Sequence, residues 1–180
     1  MLRLHMQRGT LVFALLLAAG AAGAVFASQA SQQDSKPVTA IGGFAAGGLG
    51  ESHTFGYEAQ LWRAGDRVVG FFIVSSGTGR EPPAGVLDRV RYNAKSGEIE
   101  FDTQLPRDGE RCQHFHFAGH LSPSELVGTL EWTAPARLGP VPSNESLRLP
   151  RSTTPLSSFP TYREWKQNAN DRLKLHRTCQ

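Results

Sequence analysis

The alternation of apolar and polar residues between His53 and Thr133 constrains the fold of this chain more than any other feature. Its first stretch places apolar side chains at every second position: Phe55, Tyr57, Ala59 and Leu61. Successive side chains of a β-strand point to opposite faces of the sheet, so a period of two indicates strands with one buried and one wetted face. Short turns rich in Gly, Pro and Ser separate the stretches, which favours antiparallel pairing. The pattern predicts a mainly β protein built as an antiparallel meander.

About eight strands are expected, because two weaker candidates at Pro37–Ile41 and Leu147–Leu149 add to those within residues 53–133. An antiparallel sheet of about eight strands can close into a barrel and remove its unpaired edges. The first weaker candidate precedes a glycine-rich run at residues 41–50, and the second interrupts a proline-rich connector at residues 134–160. We therefore expect a small closed barrel.

A C-terminal helix is expected after Pro160, where the apolar period changes to 3.6 residues. The apolar stripe of this helix consists of Tyr162, Trp165, Ala169 and Leu173. A meander that ends in a helix packed outside the sheet resembles the small calycin-like barrels. The resemblance covers about Pro37 to Leu175 and implies the fold alone, because the Gly-x-Trp motif of lipocalins is absent.

The chain is expected to contain one domain behind an export signal. Residues 1–27 combine a basic start with an uncharged, leucine- and alanine-rich stretch, which is typical of a cleaved signal peptide. Residues 28–52 are expected to be a flexible lead-in, rich first in Ser and Gln and then in Gly. Residues 53–180 form the barrel domain with its proline-rich connector and helix. This organisation predicts a periplasmic or secreted protein, which would contact a membrane only if the first segment stayed uncleaved as an anchor.

The charge of the chain argues against nucleic acid as a partner. Nineteen Lys and Arg face sixteen Asp and Glu, for a net charge of +3. Arg3 and Arg8 lie in the predicted signal, so the mature chain would be close to neutral. Proteins that bind nucleic acid depend on a large basic excess to neutralise phosphates.

Export also suggests how the cysteines are used. Cys112 and Cys179 are the only two in the sequence. In an oxidising compartment an even number of cysteines usually pairs. We expect one disulfide that fastens the C-terminal helix to the sheet; two unpaired buried thiols are the alternative.

Three histidines provide the candidate metal site. His114, His116 and His120 occupy even positions of one predicted strand and so share a face, and Glu100 lies on the preceding strand. Imidazoles at this spacing, with a carboxylate, are a common way to hold zinc. The alternative is a surface without a metal. The even positions of this strand face solvent, where residues of opposite charge on adjacent strands would form ion pairs.

The aromatic residues of the apolar face provide the candidate ligand site. The expected lining of the barrel consists of Phe55, Tyr57, Phe71, Tyr92, Phe101, Phe115, Phe117 and Trp132. The alternative is a solid core, because small eight-stranded barrels are often filled by their own side chains.

No Gly-x-Ser-x-Gly motif is present, and both cysteines are expected in the disulfide, so covalent catalysis is not favoured. The sequence predicts an exported, non-enzymatic module without a cofactor that binds a small apolar or amphipathic molecule or an envelope protein. A zinc-binding protein or metal-dependent enzyme that uses the histidine face is the alternative.

Overall fold

A computed structural model describes residues 34–49, 54–77, 82–106, 112–134, 141–176 and 178–179. The predicted export signal therefore lies outside the described residues. The first antiparallel sheet consists of β1 (Val38–Leu49), β2 (Thr54–Ala64), β3 (Arg67–Gly77) and β4 (Ala84–Val86). The second consists of β5 (Asp88–Tyr92), β6 (Glu98–Pro106), β7 (Cys112–Leu121), β8 (Glu125–Ala134) and β9 (Val141–Pro150). The helix α1 spans Tyr162–Leu173.

The predicted meander is confirmed, since the strand order within each sheet follows the chain and all neighbours pair antiparallel. Gly65 connects β2 to β3 with a φ of 67°. Gly97 closes the hairpin between β5 and β6 with a φ of 79°. Both turns were expected from sequence because glycine adopts positive φ without a steric penalty.

The closed barrel is not confirmed, because the described strands form two sheets. Leu87 separates β4 from β5, and these two strands belong to different sheets. Arg89, just after this division, has a φ of 47°, and the register with β6 shifts between Asp88 and Arg91. This irregular backbone turns the chain from the first sheet to the second.

The space between the sheets is filled by the predicted alternating side chains. Phe101 and Phe117 are 1% and 0% exposed, and their rings stack with centroids 4.9 Å apart. The other buried members of this cluster are Phe44, Ala59, Leu61, Val68, Phe72, Leu87, Ile99, Leu105, Leu121, Leu126, Leu130, Leu147 and Leu149. Rings and leucines from both sheets interdigitate, as in a layered β fold.

A second buried cluster lies between the outer face of the first sheet and α1. Trp165 of the helix packs edge-on to Trp62 of β2, with ring centroids 5.9 Å apart. Phe71 of β3 belongs to this cluster, whereas its neighbour Phe72 lies between the sheets. Both faces of β3 are therefore covered, which explains why its residues are apolar on both faces.

Strand β1 contains most of the glycine-rich run that we expected to be a flexible lead-in. It pairs with β2 from Val38 to Leu49, and Phe44 within it is fully buried between the sheets. Glycine has a weak preference for strands, so the sequence pattern predicted only the start of this element, in the candidate at Pro37–Ile41. Backbone pairing and the buried ring hold it in the sheet.

Strand β9 is also longer than the short candidate at Leu147–Leu149. Its prolines, Pro142 and Pro150, lie near its two ends. Strand β9 is last in the order of the second sheet, where a missing N–H donor does least damage to the ladder. Prolines at an edge are thus compatible with a strand.

The predicted disulfide joins Cys112, the first residue of β7, to Cys179 beyond α1, with Cα atoms 5.9 Å apart. The helix begins as expected, because the side chain of Thr161 accepts a hydrogen bond from the backbone N–H of Glu164. The link therefore fastens the segment after the helix to the second sheet. No helix among the described residues is long and apolar enough to cross a bilayer.

Candidate functional site

The three histidines of β7 lie on the outer face of the second sheet, as their parity predicted. His114, His116 and His120 pair in register with Gln104, Asp102 and Glu98 of β6. His114 and His120 are exposed, and His116 is partly buried. The histidine face is thus a wetted surface rather than part of the buried interior.

Charged side chains on this face form a ladder across β5, β6 and β7. Asp102 accepts from His116, with Nδ1 and Oδ1 3.0 Å apart, and its other oxygen lies 3.0 Å from Nε of Arg89. Glu100 lies 3.3 Å from Arg91 and 4.0 Å from Nε2 of His116. Such exposed pairs each stabilise a sheet by a few tenths to about 1 kcal/mol.

The histidines do not converge on a common point. His116 directs one ring nitrogen to each of two carboxylates, and the His120 ring lies beside the hairpin at Gly97. His114 faces a separate cleft described below. Among the described residues, no group of three or more His, Cys, Asp or Glu side chains is placed to hold a metal ion. The predicted ligands His114, His116, His120 and Glu100 are therefore not brought together here.

The expected aromatic lining divides among several environments. Phe101 and Phe117 are stacked in the core, and Tyr57 stacks on Phe72 at 5.7 Å. Phe71 lies on the opposite face of the first sheet, toward α1.

The remaining aromatic residues lie at the margins of the core. Phe115 and Trp132 are partly buried neighbours with ring centroids 6.0 Å apart. Tyr92 is partly buried under the guanidinium of Arg63, which lies 5.3 Å from the ring centroid. The side chain of Phe55 lies outside the described part. These contacts correspond to the filled-core alternative more closely than to a shared ligand cavity.

A cleft of about 240 Å³ lies where the corner between the sheets meets β6, β7 and the segment after α1. We call it the disulfide cleft. Its lining residues are Ala84, Gly85, Val86, Asp88, Arg89, Asp102, Thr103, Gln104, His114, Leu173, Thr178 and Cys179. Gly85 allows β4 to lie against β6, because a Cβ there would collide with Thr103 Oγ1 and the carbonyl oxygen of Gln104.

Arg89 is the most constrained polar residue of the disulfide cleft. Its φ of 47° lies in the left-handed region, which is uncommon for residues other than glycine and recurs at functional sites. Its backbone N–H donates to Asp88 Oδ1 at 2.8 Å, and its Nε pairs with Asp102. Because His116 occupies the other oxygen of Asp102, this carboxylate is held on both sides and fixes the arginine.

Arg89 lies 3.0 Å from Asp102 and 4.0 Å from Asp88, and both ion pairs involve its Nε. The arginine side chain is 68% exposed. Val86, an apolar residue of the same cleft, is 47% exposed. The cleft thus combines an ion-paired guanidinium with an exposed apolar side chain.

Sequence reasoning missed the disulfide cleft, although it predicted the disulfide and the helix that border it. The cleft depends on the corner at Leu87 and on the left-handed Arg89, neither of which a period-two pattern reveals. The one signal available was the break in alternation at Val86-Leu87. Comparisons of the chain with protein-family models, curated proteins and solved structures give no match.

Proposed function

We propose that this chain is an exported, non-enzymatic binding module that holds a small amphipathic carboxylate in the disulfide cleft. The observation that carries this proposal is Arg89, which pairs with Asp102 through Nε and lines the cleft together with exposed Val86. The ligand is thus placed outside the packed core rather than between the sheets.

The chemistry of arginine selects the ligand class. A guanidinium offers a planar fork of donors that matches the two oxygens of a carboxylate. Asp102 and His116 hold the fork in one orientation, which reduces the entropy lost when a ligand binds. Val86 and Leu173 offer apolar contact to the body of the ligand. A cleft of about 240 Å³ suits a small molecule.

Binding is favoured over turnover because two potential nucleophiles of the cleft are already engaged in other bonds. Cys179 is in the disulfide, and the Thr103 hydroxyl donates to the carbonyl oxygen of Val86 at 3.0 Å. Neither group is paired with a general base, as a nucleophile requires.

Export and the calycin-like barrel are part of the same proposal. The disulfide supports an oxidising compartment, periplasmic or extracellular. A bridge between Phe44 of β1 and Arg151, just after β9, brings the far edges of the two sheets together and supports a flattened barrel. The ligand source would be a free small molecule or an envelope component.

Titration calorimetry with short-chain fatty acids, and with alcohols of equal chain length, tests the proposal. The acids should bind and the alcohols should not. Arg89→Gly, which removes the guanidinium but accepts the left-handed backbone, should weaken acid binding at least about tenfold, as expected for a lost charged hydrogen-bond pair. Arg91→Ala on the same strand, outside the cleft, should leave it unchanged. Equal binding of acids and alcohols, or of the wild type and Arg89→Gly, would refute the proposal.

A further inference from the structure

A second cleft lies on the face of the first sheet that α1 covers, under residues 152–159, which we call the strap. The strap is fastened at one end because Ser152 N–H donates to Gly43 O at 2.8 Å. At its other end, Phe159 and Val38 exchange two backbone hydrogen bonds of 2.8 and 2.9 Å. Between these anchors, the Trp62 indole N–H donates to the carbonyl oxygen of Ser157 at 2.8 Å. The strap is thus held at both ends and in the middle.

The space between the strap, β1, β2 and α1 has a volume of about 310 Å³, and we call it the strap cleft. Its polar lining residues include Glu58, Gln60, Thr154, Asn168 and Arg172. It shares no lining residue with the disulfide cleft. The two clefts can therefore be tested separately.

Gln60 provides the observation that points to a ligand in the strap cleft. Its side chain is only 4% exposed, and its Nε2 donates to a carboxylate oxygen of Glu58. Its Oε1 is buried and has no hydrogen-bond partner. If the side-chain amide of Gln60 were flipped, its Oε1 would face the carboxylate of Glu58, and two acceptors would repel each other. The hydrogen bond to Glu58 therefore fixes which way the amide points. Buried acceptors are nearly always satisfied, so a donor is expected beside Oε1.

The charges of the lining indicate what kind of molecule would bring that donor. One carboxylate, Glu58, and one guanidinium, Arg172, are the charged groups among the lining residues. Arg172 lies over the ring of Phe71, 5.2 Å from its centroid. Because these charges balance, the lining favours a neutral ligand over an ion.

The polar groups of the lining also favour hydroxyl groups over other neutral chemistry. Glu58 and Gln60 offer acceptors, Arg172 offers donors, and Asn168 and Thr154 can do both. A hydroxyl both donates and accepts, so several hydroxyls on one small frame match this mixed set.

We propose that the strap cleft binds a small neutral polyhydroxylated molecule, such as a monosaccharide or a polyol, with one hydroxyl donating to Gln60 Oε1. This site goes beyond the carboxylate-binding function and does not depend on it.

Saturation-transfer difference NMR on the full, oxidised chain tests this inference with glucose, galactose, mannose and sorbitol as probes, and butyrate as the comparison ligand. At least one polyhydroxylated probe should bind saturably. Gln60→Met keeps the side-chain length but removes the acceptor, so it should weaken that binding at least tenfold. Butyrate binding should not change in this variant.

Two further variants provide a second test of the site and a matched control in the other cleft. Asn168→Ala, on the exposed face of α1, should weaken sugar binding several-fold without changing the unfolding midpoint, so the test survives if Gln60→Met folds poorly. Gln104→Met, in the disulfide cleft, should leave sugar binding unchanged. Failure of every polyhydroxylated probe to bind the wild type, or equal binding by wild type, Gln60→Met and Asn168→Ala, would overturn the proposal.

Discussion

Arg89 stores backbone strain at the edge of the disulfide cleft, and this strain can be measured. Its φ of 47° favours glycine over any residue with a Cβ. Arg89→Gly and Arg89→Ala remove the same ion pair with Asp102. The difference between their free energies of unfolding therefore reports the backbone strain at this position. We expect the glycine variant to be more stable than the alanine variant by about 1 kcal/mol in urea unfolding. Equal stabilities would show that the left-handed conformation is absent in solution.

Ionisation of Tyr57 should make the protein less stable at alkaline pH. Burial, followed by its hydrogen bond to the Glu145 carboxylate and the charge of that group, raises the pKa of the Tyr57 hydroxyl well above its usual value of 10.0. A raised folded-state pKa stabilises the native state fully below the unfolded value, and this contribution is lost as pH rises above about 10.

Tyr57→Phe should therefore cost about 1 to 3 kcal/mol at neutral pH, the range for a hydrogen bond to a charged group. The variant should also lose less stability than the wild type between neutral pH and pH above about 10. Guanidinium unfolding at several pH values measures both effects. Parallel pH profiles for the two proteins would contradict the assignment.

At the level of elements, sequence patterns predicted those elements whose stability comes from one buried face. The helix was expected from the stripe at Tyr162 and Trp165, and strands β6 to β8 from their alternation, because burial of one face dictates both periods. Only the first residues of β1 were expected as a strand, because the glycines that follow hide the alternation. Phe71 was expected to line the interior of the barrel, but it lies on the outer face of the first sheet, toward α1. The sequence does not distinguish the two faces of β3, because both are apolar.

The helix should depend on its packing against the first sheet. Trp165 is 4% exposed and contacts Trp62, so Trp165→Ala should destabilise the protein by about 3 to 5 kcal/mol, the range for deleting a large core ring. Arg163→Ala, on the exposed face of the same helix, should change stability by less than about 0.5 kcal/mol. Thermal unfolding followed by circular dichroism measures both. A small effect of Trp165→Ala would mean that the helix is not docked.

At the scale of the whole molecule, the sequence predicted a mainly β domain with an outer helix and a disulfide, but not the division into two sheets. That division follows from the corner at Leu87, a local irregularity within an otherwise regular pattern. The candidate site was missed for the same reason, since the cleft is formed at this corner by segments distant in sequence. His114, a member of the alternative metal site, lines the disulfide cleft.

The filled interior predicts a large cost for removing a central ring. Phe117 is fully buried and stacks on Phe101, so Phe117→Ala should destabilise the fold by about 3 to 5 kcal/mol. Phe115→Ala, at the margin of the core, should cost less. Equilibrium urea unfolding compares the two variants. If Phe117→Ala lowered the free energy of unfolding by less than about 1 kcal/mol, the core between the sheets would not be tightly packed.

We expect the ligand to bind beside the disulfide and not between the sheets. Two-dimensional ¹H–¹⁵N NMR during titration with butyrate distinguishes the two locations. The amide shifts should concentrate at Val86, Arg89, Gln104, His114 and Thr178. Shifts centred on the buried strands around Phe101 and Phe117, or no shifts at saturating butyrate, would contradict it.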